Sequence, residues 1–283
     1  MVLAVLSTQF QTSDGTVNTF LDSLSDAMQL AGFSEVSSTV ITDNVGSRRV
    51  WKKQLTEADV AYPDIVLALV HTGQSGTSTL SYQYEYQSYS GWDESSESGT
   101  DLKSYGTSSF SVVAQRTSGV TFTYYICKHP ELSAVHIYSN TTYSAFVGYY
   151  RPGIVPSGWS QNVSPFAFVS PQTALSGGAE VIKGVSSLSP LPDDFRLAGI
   201  ENNGNSSALN NHANVNSYLN LIHVVHSSHN FQAITRFSTD IISTSGSNLS
   251  WFHKVQVIPG VEEYSQFCRI IGSRYPTIAV RTI

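Results

Sequence analysis

Three segments in close succession decide the fold: VTFTYYI at 120–126, AVHIY at 134–138 and YSAFVGYY at 143–150. In each, bulky residues recur near every second position, the spacing of a strand that turns one face toward a core. They are separated only at Lys128-His129-Pro130 and at Ser139-Asn140-Thr141. This is the pattern of an antiparallel meander. No cluster of acids, bases or metal ligands falls on it, so its first interpretation is a packing surface rather than a catalytic one.

Outward toward the amino terminus, Val17, Phe20, Leu21, Leu24, Met28 and Ala31 make one helical stripe. Cap residues Ser13, Asp14 and Thr16 open it and Gly32 closes it. Before it, the six apolar residues Met1 to Leu6 lack a basic leader and a small-residue cleavage site, which reads as a first strand or arm rather than a signal peptide. After it, Glu35 to Thr42, Val50 to Leu55 and Pro63 to Val70 read as strands. Leu80, Tyr82, Tyr84 and Tyr86 alternate with Ser81, Gln83, Glu85 and Gln87, a strand with one aromatic and one polar face. Asp93 to Tyr105, rich in Ser, Gly and acids, reads as a long surface loop, and Pro152 to Pro165 as its counterpart after the meander.

The expected fold class is α+β, predominantly antiparallel β of meander or sandwich-like form, with an N-terminal helix packed on the sheet. Residues 1–169 carry the helix and the β body. Residues 170–216, dominated by Ser, Gly, Pro and Asn, form an irregular insertion with one strand from Phe195 to Ile200. Residues 217–283 complete the same body: Tyr218 to Thr239 fits helix or strand equally, while Val255 to Ile258, Phe267 to Ile271 and Ile278 to Val280 close it as strands.

Composition narrows the function classes. The 283 residues are 41% hydrophobic, enough for a sizeable core, but only 13% are charged, about half the roughly 25% usual for soluble domains. Such a surface is covered by neighbouring subunits or belongs to a stiff secreted β protein, and composition alone weighs these evenly. A net charge of −6 argues against a phosphate-tracking surface, and no nucleic-acid partner is expected. The one cationic knot, Arg48-Arg49 with Lys52-Lys53, fits a solvated strand or loop edge. No apolar run reaches the roughly 20 residues of a membrane span. Cys127 and Cys268 each lie among apolar residues; one disulfide is open to them, but buried free thiols are the favoured reading.

Few residues offer chemistry. His223, His226 and His229 repeat every third position, the one metal-like spacing in the chain. On a helix all three would splay, and on a strand His226 faces away from the other two, with Asp240 the first acid downstream. Partly buried or surface histidines therefore outweigh a structural metal, and no cofactor is expected. No Gly-x-Ser-x-Gly elbow or phosphate-cradling loop occurs, and the adjacent acids Asp193-Asp194 and Glu262-Glu263 read as solvated turn or edge pairs. The remaining signal is 15 tyrosines and 4 tryptophans in a charge-poor chain. Large, low-entropy aromatics outside a core suit protein interfaces or sugar stacking, and Trp92, Tyr149, Tyr150 and Trp159, flanking loops, are the interface candidates.

Several of these segments together resemble a group of tailed-bacteriophage virion proteins. The resemblance rests on the helix from Phe20-Leu21 to Gly32-Phe33, Trp51 after it, and Asp64 to Leu69 leading to an aromatic strand. It continues through Ser133 to Asn140 and Tyr143 to Pro152, and through Tyr264-Ser265-Gln266-Phe267 to Arg274 with the closing Ile278-Ala279-Val280-Arg281. Where such proteins tend to carry a Tyr-Pro-Tyr-Pro-like run after the meander, this chain has Val163-Ser164-Pro165-Phe166-Ala167-Phe168. The resemblance implies a structural subunit of the virion, in tail, baseplate or neck, without catalytic residues. Its partners would be other phage structural proteins, within a symmetric oligomer. A receptor- or carbohydrate-binding virion protein using loop aromatics is the alternative, and a hydrolase of bacterial surface polymer ranks below both.

Overall fold

The computed structural model describes residues 2–10, 16–41, 46–53, 56–57, 60–61, 65–75, 79–89, 91–100, 103–104, 110–115, 120–139, 144–150, 166–170, 183–186, 195–198, 218–221, 223–226, 232–236, 238–245, 254–269 and 277–282. The chain opens on β1 (Val2–Phe10), α1 (Thr16–Leu30), β2 (Ser34–Thr39) and β3 (Arg48–Lys53). Two short strands, β4 (Thr56–Glu57) and β5 (Val60–Ala61), precede the long β6 (Ile65–Ser75) and β7 (Thr79–Tyr89). Then come β8 (Gly91–Asp93), β9 (Ser98–Thr100), β10 (Lys103–Ser104) and β11 (Phe110–Gln115). The meander is β12 (Val120–Lys128), β13 (Leu132–Ser139) and β14 (Ser144–Tyr150), continued by β15 (Phe166–Ser170), β16 (Lys183–Ser186) and β17 (Phe195–Ala198). The last part holds β18 (Tyr218–Leu221), β19 (His223–His226), β20 (Gln232–Arg236), β21 (Ile241–Ser245), β22 (Lys254–Ile258), β23 (Glu262–Arg269) and β24 (Thr277–Arg281).

These strands form three larger antiparallel sheets. A nine-stranded sheet runs β1-β12-β13-β14-β15-β16-β17-β19-β20, so the meander sits inside it with β1 laid along its first strand. A six-stranded sheet runs β10-β7-β6-β3-β2 with β11 also on β7, and a five-stranded sheet runs β18-β21-β24-β23-β22. The molecule is predominantly antiparallel β with one helix near the amino terminus packed on its sheets, the fold class expected from the sequence.

The helix fixes where the core lies. Phe20, Leu21, Leu24, Ala27, Met28 and Ala31 are buried and pack in one cluster with residues of two sheets. From the six-stranded sheet come Trp51, Leu67, Leu69 and Tyr84, and from the nine-stranded sheet Phe122, Tyr124, Ile126, Val135, Ile137 and Val147. Register explains the second set: Ala4 lies opposite Ile126, Ile126 opposite Val135, and Val135 opposite Val147, so one row of the pleat faces the helix. Phe20 bridges the layers, its ring centroid 5.0 Å from Tyr84 and 5.3 Å from Phe122. Each such side chain contributes roughly 1.5–3 kcal/mol by leaving water.

Gly32 ends the helix at φ +90°, where a side chain would be strained. Its amide donates to the Gln29 carbonyl at 2.9 Å, and the Phe33 amide to the Met28 carbonyl at 3.0 Å, the paired bonds of a Schellman cap. Phe33 and Met28 meet in the core, which turns the chain directly into β2.

One expectation changes. Asp93 to Tyr105 is not one long loop: Gly91–Asp93 and Ser98–Thr100 pair as a hairpin, and Lys103–Ser104 joins β7. Its Ser and Gly residues read as loop because a hairpin this short buries little of its own. Within 217–239, where the sequence fitted helix or strand, the described residues form β18, β19 and β20. Of the described residues between 170 and 216, β16 and β17 extend the nine-stranded sheet and carry it to β19. Residues 217–283 divide between the nine-stranded and the five-stranded sheets.

Candidate functional site

The cationic strand β3 organises the best-described polar cluster. Its residues alternate between the sheet faces, so Arg49, Trp51 and Lys53 share the helix side while Arg48, Val50 and Lys52 share the other. Arg49 is 4% exposed and ion-pairs with Asp22 of α1 and, at 3.8 Å, with Glu35 of β2. The Trp51 indole N–H donates to Ser25 Oγ at 2.9 Å, and Ser25 donates in turn to the Glu35 carboxylate. Lys53 reaches the end of the helix, donating to the Gly32 carbonyl at 2.9 Å with its ammonium 5.6 Å from the Phe33 ring centroid. Burial, and secondarily the charge of Lys128, lowers the Lys53 pKa. The knot is therefore not a solvated edge: β3 lies between β2 and β6, and its Arg49 and Lys53 tie the helix to the sheet. Period-two alternation was the signal for this, but Arg and Lys are usually read as surface residues.

On the opposite face of the six-stranded sheet, Val50, Val66 and Ala68 form a second cluster, against which Val36, Tyr89 and Trp92 pack. Trp92 is in the middle of β8 rather than beside a loop, half-buried, with Tyr89 edge-on at 5.3 Å. The Arg48 guanidinium lies over its ring at 5.3 Å, so one ring face is occupied within the chain. Arg48 also donates to the Glu97 carbonyl at 3.1 Å and approaches its carboxylate at 3.8 Å. Glu97 is the one described non-glycine residue with positive φ, 48°, and this clamp holds it there. At the same turn Asp93 accepts from the Ser95 amide and from the Ser95 and Ser96 hydroxyls, bonds that hold its carboxyl down to about 2.

The remaining interface candidates lie in other places. Tyr149 and Tyr150 close β14, in register with Ser133 and Leu132 on one side and Ala167 and Phe166 on the other. Trp159 is outside the described residues. His223 opens β19 and His226 closes it, three positions apart across a register shift at Val224/Val225, and His229 is outside the described residues. Among the described residues no three His, Cys, Asp or Glu side chains group closely enough to hold a metal ion.

The second face of the meander carries buried groups, of which sequence reasoning singled out Cys127 alone, as a buried free thiol. His136 is 1% exposed, opposite Tyr125 in register, with stacked rings 6.3 Å apart. Burial drives the His136 pKa down to about 3 and the Tyr125 pKa up to about 12. Cys127 beside them is a free buried thiol, pushed up to about 12 by the same cause. A thiol so placed is a small hydrophobe rather than a nucleophile. On the helix side, burial also raises the Tyr124 pKa, and its hydroxyl meets Ser23 Oγ at 2.7 Å.

A third polar group ties two sheets together. The Glu131 carboxylate, in the turn after β12, accepts from the Ser238 amide at 3.0 Å, in the turn before β21. Asp240 pairs with Arg281 at 3.5 Å, and its carbonyl takes the Arg281 amide at 2.7 Å. Of the acid pair, Glu263 is buried and accepts from the Gly260 amide at 3.1 Å, while the neighbouring Glu262 lies 2.9 Å from the Tyr264 hydroxyl. These carboxylates brace turns instead of lying free in solvent. No helix among the described residues is long and apolar enough to cross a membrane. A scan against protein-family models finds no match to the chain, and a search of curated proteins finds none either.

Proposed function

We propose that the chain is a non-enzymatic structural subunit of a tailed-phage particle, in tail, baseplate or neck. It assembles through protein–protein contacts with other phage structural proteins and with further copies of itself. One observation carries the reading: a large, strand-built body with only 13% charged residues. A poorly charged β surface of this extent associates unless something covers it, and subunit neighbours in a particle do so. The polar contacts described above point the same way, because the ion pairs of Arg49 and Arg48 and the bond from the Ser238 amide to Glu131 are spent on bracing the fold. The virion assignment itself comes from the strand-and-loop resemblance.

Gold-labelled antibody raised against the purified chain, applied to phage particles grown on the host of origin, tests the reading. Labels are expected at one defined place on the tail, neck or baseplate. Particles whose mass spectra contain no peptide of this chain overturn it.

A further inference from the structure

The edges of the sheets differ in how they are protected. An edge strand presents a row of backbone N–H and C=O groups, and folded proteins blunt such rows with charge, proline, bulges or brevity. In the six-stranded sheet, β2 carries Glu35 and a register shift, and β10 is two residues long. In the five-stranded sheet, β22 begins on Lys254 and is bulged, and β18 has four residues. At the far end of the nine-stranded sheet, β20 ends on Arg236 and its pairing with β19 is shifted. The six-residue β11 is uncharged, but it is short.

β1 stands apart from all of these. It is nine residues long, VLAVLSTQF, without charge or proline, and it keeps unbroken register with β12 from Val2↔Lys128 to Phe10↔Val120. Its other edge pairs with no strand among the described residues. Ala4 and Leu6 pack toward the core, while Val5 is 50% exposed and Ser7 is exposed. The row of backbone groups defines the occupant as another extended strand.

We propose that β1 is a self-association edge, on which β1 of a second copy pairs antiparallel about a two-fold axis at Leu6. The two nine-stranded sheets then become one continuous sheet. Centring on Leu6 uses all nine residues and sets Ala4 opposite the second copy's Thr8, and Val5 opposite its Ser7. Core-side residues therefore stay on the core side across the axis, which a one-residue slip would reverse. Two uncharged strands also meet without placing a charged side chain in the seam. An isologous contact of this kind closes a dimer. The inference deepens the building-block reading and rests on it for its biological setting.

The test is sedimentation equilibrium of the full chain, alongside the double variant Val5→Lys/Ser7→Lys, whose changes lie at exposed positions. The native chain is expected to be a dimer. The lysine variant is expected to be a monomer with unchanged circular dichroism, weakened about tenfold or more because two lysine pairs fall directly opposite each other. Mixing it with Val5→Glu/Ser7→Glu should restore a mixed dimer. A monomeric native chain, or a dimer indifferent to these lysines, overturns the β1 pairing. Gold labelling of particles decides the building-block reading separately, since a chain found in the particle but monomeric in solution sinks only the edge.

Discussion

Arg49 and His136 show how much a single strand position is decided by what lies across from it. Arg49 is nearly excluded from solvent, yet Asp22 and Glu35 approach it from two different elements, and a buried charge with two partners is costly to orphan. His136 is the opposite case, a buried imidazole kept neutral by burial, with a pKa near 3 in the folded chain against an ordinary 6.5. Its unfolded form takes up a proton below 6.5 and its folded form does not, so its stabilising effect is complete above that pH and drains away as pH falls toward 3. His129, also lowered chiefly by burial, adds in the same direction. Unfolding free energies from urea titrations should therefore drop between pH 7 and pH 5, by at most about 1.4 kcal/mol per pH unit for each histidine. The slope should flatten in His136→Leu, and a slope unchanged in that variant would show that His136 is protonated in the native chain.

At the scale of elements, the β8–β9 hairpin is too short to stand alone. Three residues a side cannot hold a hairpin in water, so its stability comes from Trp92 lying between Arg48, Tyr89 and the Val50, Val66 and Ala68 patch. Gly99 contributes by omission, because a Cβ there would come within 2.0 Å of the Tyr89 ring. Trp92→Ala should cost about 1–3 kcal/mol and act locally. In hydrogen exchange, amides from 91 to 100 should lose protection while those of α1 keep theirs. Equal loss in both would mean that the hairpin and the helix core unfold as one unit.

At the scale of the whole molecule, α1 is the shared filling of two sheets. Phe20 touches Tyr84 on one and Phe122 on the other, so its truncation opens space on both sides of the helix at once. Phe20→Ala should cost about 3–5 kcal/mol and lower the exchange protection of β7 and β12 together. Protection lost from one strand alone would mean that the two sheets are stable apart. The Glu131 to Ser238 bond makes a similar link on a smaller scale between the nine-stranded and five-stranded sheets.

The residues themselves determined the meander, the helix with its Gly32 stop, the closing strands and the antiparallel β class, because period-two and period-3.6 burial is written into neighbouring positions. The deficit of charge was equally plain. What only the tertiary structure decided is partnership at long range: that Arg49 is inside, that Trp92 lies beneath Arg48, that Glu263 braces a turn, and that β1 lies along β12. A local pattern states that a strand has a buried face. It does not state which strand, 116 residues away in the case of Ser7 and Thr123, lies alongside it, since pairing is chosen by the free energy of the assembled sheet.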